Sequence, residues 1–150
     1  MEDRNQRILH HLNHLLTIAN DGQHGYATAA DDTDSPAIQT NLRAYSLDRA
    51  NFVEALEAEI RKLGAQPSEG GGPLGAIHRV WIDVKSSLTS KDKKAVLGAC
   101  ITGDTAALNA YDKVLEDSEL PEDLRTLIAN QRLSIQDALR SVKVLHDAVE

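Results

Sequence analysis

Arg49, Glu59, Asp104 and Gln131 stand at positions where the spacing of their neighbours calls for apolar side chains. Charge on a core stripe is the raw material of buried chemistry: acids can ligate a hard cation, and an acid facing a guanidinium can form an ion pair. A di-metal carboxylate centre in a helical bundle takes a carboxylate from each of two helices and a Glu-x-x-His pair from each of the other two. Glu-x-x-His occurs nowhere in this chain. Glu59 and Asp104 are the only acids on core stripes and cannot complete such a centre, so the expected cofactor is none, with iron or manganese at a degenerate or single-metal site as the alternative. No catalytic residue is assigned.

His10 and His14 have the i, i+4 spacing that places two imidazoles on one helix face. They lie opposite the apolar stripe, and the plainer reading is a solvated face that picks up zinc or nickel adventitiously. His78, next to Trp81, reads as a half-buried histidine bonded to a backbone carbonyl. Cys100, between Ala99 and Ile101, reads as a small buried hydrophobe, because no neighbouring His or helix N-terminus lowers its pKa. The glycines at 70–72 follow no strand, and no serine has a triad context.

The elements that must position these residues are helices. The first is expected over Asp3–Ala30, with Ile8, Leu12, Leu15, Ala19, Gly22, Tyr26 and Ala29 on one stripe. Gly22 and Gly25 cost about 1 kcal/mol each against Ala in a helix interior, which points to close approach of a neighbour or a bend. Ser35 is placed to cap the second helix and Pro36 to open it. Along that helix Ile38, Leu42, Tyr45, Phe52, Leu56 and Leu63 step by alternating fours and threes, with Arg49 and Glu59 on the same seam, and Gly64 ends it. A loop follows, then a short amphipathic helix over Pro73–Leu88 with Leu74, Ile77, Trp81, Val84 and Leu88 on one face. Thr89 or Ser90 would cap the next helix, expected from Lys91 to Asp117, whose stripe runs Leu97, Cys100, Asp104, Leu108, Tyr111, Leu115. Pro121 starts the last, with Leu124, Ile128, Gln131, Ile135, Ala138, Val142, Leu145 and Val149 in four-three spacing.

Four long helices and a short one are not a simple up-down bundle. A short helix of about 16 residues spans roughly 24 Å, enough to return the chain along a bundle. The expected fold is therefore all-α: a four-helix bundle with a crossover helix between helices two and three, the ferritin-like connectivity, in a single domain over residues 1–150. In that order Arg49 and Asp104 reach similar height. The expected buried polar cluster is an Arg49–Asp104 ion pair with Tyr26 or Gln131 satisfying its remaining hydrogen-bonding groups.

The runs DGxxGYxxAA at Asp21–Ala30, RxxF at Arg49–Phe52, AExxxLG ending at Gly64, HRxWIDxK at His78–Lys85 and CxxGD at Cys100–Asp104 together resemble a bacterial family of ferritin-like four-helix-bundle proteins of unknown function, related in fold to rubrerythrins and bacterioferritins. The resemblance covers nearly the whole chain and implies the fold more than any activity. The family pattern has a glutamate near Gln23 or His24, Gly-Glu-Asp where Gly103-Asp104-Thr105 stand, and a His-Asp pair where Leu139-Arg140 stand. If those residues bind metal elsewhere, this chain lacks most of them.

The net charge of −7 and pI near 5.3 leave no basic face for nucleic acid. No stretch is apolar and long enough for a bilayer, and the opening MEDRNQRILHHLNHLL is unlike a signal peptide. With one cysteine, the expected location is the cytoplasm. Two functions follow: a non-catalytic module that self-associates or binds an unknown protein partner, in a stress or stationary-phase setting, or a ferritin-like protein with metal-binding or redox activity. A homo-oligomer, a dimer first, is expected from Leu9 and Leu16, which widen the apolar stripe of the first helix.

Overall fold

Helices begin and end where cap chemistry allows. The Ser35 side chain accepts a hydrogen bond from the Ile38 N–H at 3.4 Å, Pro36 stands at the first helical position, and the chain turns out of the same helix at Gly64 with φ +82°, a conformation that costs glycine little and other residues more. The computed structural model describes residues 2–67 and 93–149. Among these are four α-helices and no strand: α1 (Glu2–Asp32), α2 (Pro36–Lys62), α3 (Lys93–Leu115) and α4 (Glu122–Ala148). The expected Pro73–Leu88 helix, its Trp81 and His78, and the cap at Thr89 or Ser90 lie outside the described residues. Pro121 is the residue before α4 rather than its first.

α1 packs most extensively on α2, and α3 on α4, with α1 also against α3 and α2 more lightly against α4. The core falls into two apolar clusters. One gathers Ile8, Leu12 and Leu15 of α1, Leu56 and Ile60 of α2, Tyr111 and Val114 of α3, and Leu124 and Ile128 of α4. The other gathers Tyr26 and Ala29 of α1, Ile38 and Leu42 of α2, Val96, Leu97 and Cys100 of α3, and Val142 of α4. The start of α1 therefore meets the end of α2, the end of α3 and the start of α4. α2 and α3 run in the same direction, so Lys62 and Lys93 stand at opposite ends of the bundle.

Three stripes differ from the sequence expectation. Ile60 is fully buried where the heptad put Glu59, because an α-helix turns by 3.6 residues and drifts off a strict seven-residue seam. In α3, Ala107 and Val114 are buried while Leu108 and Leu115 are half-buried. Leu16 is buried and Leu9 packs on the same cluster, so the apolar width of α1 is used inside the bundle and offers no second contact surface.

Candidate functional site

Between the two apolar clusters lies a polar layer. α2 brings Arg49 to it, α3 brings Asp104 and α1 brings Tyr26, each placed there by the buried residues one or two turns away on its own helix. Arg49 Nη1 donates to Asp104 Oδ1 at 2.8 Å, and the Tyr26 hydroxyl donates to the other oxygen, Asp104 Oδ2. The guanidinium also lies over the Tyr26 ring, 5.2 Å from its centroid, where the ring's negative face favours a cation. Arg49 is 2% exposed and Asp104 fully buried.

Space for the guanidinium comes from Gly22. A Cβ built there would come within 2.8 Å of Arg49 Nη1, closer than a real side chain allows. The close neighbour of the α1 glycine is thus the arginine head group. Burial works most strongly against the Arg49 charge, but the charge and hydrogen bond of Asp104, together with Tyr26 and Tyr111, more than offset it and raise the arginine's pKa. Burial, then the charge of Asp104, raises the Tyr26 pKa well above the ordinary phenol value, and the same two causes raise that of the Cys100 thiol. A buried, protonated thiol is a poor nucleophile.

Gln131 is buried too but pairs elsewhere: its Oε1 accepts from the Tyr111 hydroxyl at 2.7 Å. Tyr111 counts among the apolar residues of its stripe in the sequence reading, and its hydroxyl is the part missed there. A phenol facing an amide on a neighbouring core stripe is the signal that would have found the pair. Burial raises the Tyr111 pKa, opposed by the nearby charge of Arg49.

The metal candidates are not brought together. Glu59 is half-buried and pairs with Lys62 at 2.9 Å. His10 and His14 are both exposed; the His14 pKa is lowered by partial burial and then by His10 and His11. Among the described residues no group of three or more His, Cys, Asp or Glu side chains is disposed to hold a metal ion. Iron or manganese does not fit at Asp104, because both of its oxygens already have donors and one of those donors is a cation. Among the described residues no helix is long and apolar enough to cross a membrane.

A second polar cluster, unforeseen in the sequence, ties α1 to the turn between α3 and α4. Arg7 reaches Asp117 at 2.8 Å and Glu119 at 2.6 Å, and His11 Nε2 meets Asp117 Oδ2 at 3.0 Å. Arg125 of α4 donates to the carbonyls of Leu115 and Asp117. His11 thus belongs to this cluster and not to a histidine ligand set. The Arg7 hydrogen bond, with help from the Glu119 backbone N–H and His11, holds the Asp117 carboxyl below the usual carboxylate range.

Comparison with curated proteins finds none that matches. A family model described as a domain of unknown function (DUF2383) matches residues 7–117, the span that contains Tyr26, Arg49, Asp104 and Tyr111. The match covers most of the 150 residues, and the chain belongs to this family, DUF2383.

Proposed function

We propose that this chain is a non-catalytic helical bundle that works by association, with a second copy of itself or with another protein, and that its central ion pair specifies how the helices meet. One observation carries the reading: Asp104 is fully buried at the middle of the bundle with one oxygen bonded to Arg49 and the other to Tyr26. A buried carboxylate committed in this way neutralises a guanidinium and orients a phenol. The Arg49 charge beside it disfavours a further cation there. A buried pair of this kind is poor material for stability but well suited to setting register.

The finer parts of the reading have separate support. The shared direction of α2 and α3 suits a ferritin-like order with one crossover helix. Self-association is supported by Leu133 and Val144, 52% and 66% exposed, which lie about three turns apart on one outer line of α4. The dimer is taken as the simplest closed assembly. A single cysteine suits a reducing cytoplasm, and a stress setting remains part of the proposal.

Sedimentation equilibrium at micromolar concentration should show dimer; monomer alone overturns self-association. Metal analysis of protein purified without a histidine tag should find no stoichiometric metal. Stoichiometric iron or manganese would overturn the non-catalytic reading in favour of metal-binding or redox activity.

A further inference from the structure

The outer face of α4 carries a pattern that reads the same from either end once acid and base are exchanged. Leu133, Asp137, Arg140 and Val144 fall within an arc of about 60° on a helix that turns by about 100° per residue. Gln131, Ile135, Ala138 and Val142, which α4 buries, lie on the opposite side, so this line points away from the bundle. All four side chains are exposed, Leu133 by 52%, Val144 by 66%, Asp137 by 72% and Arg140 by 71%. Single exposed apolar residues are ordinary. The spacing of these is not.

Leu133 stands four residues before Asp137, and Arg140 four residues before Val144. Both the apolar pair and the charged pair are therefore centred on the peptide between Ala138 and Leu139. A two-fold axis through that point, perpendicular to the helix, lays α4 antiparallel on its own copy. Leu133 then meets Val144 of the partner subunit, and Asp137 meets the partner's Arg140, each contact being made twice. A closed two-fold interface demands this kind of self-complementarity. Within one chain Arg140 Nη1 lies 3.8 Å from Asp137 Oδ1, beyond hydrogen-bonding distance, so both groups keep capacity for a partner. Parallel pairing would oppose acid to acid and base to base, which repel. We infer that α4 docks antiparallel on α4 of a second copy of this chain, centred between Ala138 and Leu139. The inference rests on the self-association proposed above and gives it a surface and an orientation.

Asp137→Arg and Arg140→Asp, each alone, set like charges against each other across the axis. Each should raise the dimer dissociation constant about tenfold at low salt, measured by sedimentation equilibrium on the full chain. An equimolar mixture of the two variants should recover the dimer, because every basic position of one chain then faces an acidic position of the other. Both positions are exposed, so the thermal midpoint of each variant alone should stay near that of the unaltered protein. Single variants that dimerise as tightly as the unaltered chain overturn this docking while self-association stands. So do weakened variants whose mixture stays monomeric. An unaltered chain that is monomeric throughout overturns self-association and this docking together.

Discussion

Asp104 has two oxygens and a donor on each, which sets what its loss would do. Asp104→Ala leaves a buried guanidinium and a buried phenol without their acceptor, and should destabilise the bundle by about 3–5 kcal/mol in denaturant titration. Replacing Arg49 and Asp104 together by apolar residues of similar volume still removes the Asp104 acceptor of the Tyr26 hydroxyl, at about 1–3 kcal/mol. Adding Tyr26→Phe should bring the triple variant close to neutral. A triple variant as unstable as Asp104→Ala would show that the layer does more than satisfy itself. Gly22 supplies a second test. Gly22→Ala gains about 1 kcal/mol in helix propensity, but its methyl meets a guanidinium already held by Asp104, and overpacking costs about 1–3 kcal/mol. Thermal unfolding should show net destabilisation, whereas in an Arg49→Leu background Gly22→Ala should raise the midpoint relative to Arg49→Leu alone.

At the scale of elements, the turn between α3 and α4 is held by charge and α2 is ended by geometry. The folded Asp117 carboxyl is held below its ordinary value chiefly by Arg7. In the acid range the unfolded chain therefore binds the proton more readily than the folded one, so stability rises with pH there. The contribution is present above the ordinary carboxylate value near 4 and is lost as pH falls below it. Asp117→Asn should flatten that part of the stability-against-pH curve, measured by chemical unfolding; an unchanged slope would show that Arg7 does not engage Asp117 in solution. Gly64, at φ +82°, makes a different case. A Cβ there meets nothing within 4 Å, so the cost of Gly64→Ala is backbone strain alone, about 1 kcal/mol by the same titration.

For the whole molecule, the outer surface of α4 is where association is to be tested. Leu133→Lys with Val144→Lys should shift a dimer to monomer in sedimentation without lowering the unfolding midpoint by more than a few degrees, because neither side chain is buried in the bundle. A dimer that survives both changes would move the contact to another face, such as the one that bears Leu47, 64% exposed. The polar layer acts at this scale as well. It separates two apolar clusters drawn from all four helices, and sliding α1, α2 or α3 by a turn would set Tyr26, Arg49 or Asp104 against apolar neighbours.

Periodicity alone determined that the chain makes long amphipathic helices, because a stripe of apolar residues at three- and four-residue steps is stable only when a neighbour covers it. The caps at Ser35 and Gly64 were legible for an equally local reason: each acts on backbone within a few residues. Periodicity also put Arg49 and Asp104 on core stripes. Which polar residues meet was decided only in three dimensions, by helix rotation and height. The drift of a 3.6-residue turn buried Ile60 and left Glu59 beside Lys62. Two turns of α3 separate Asp104 from Tyr111, and that distance gave Gln131 to the tyrosine instead of the ion pair. The cluster of Arg7, His11 and Asp117 left no periodic mark at all, since it joins residues more than a hundred positions apart through the folded ends of three helices.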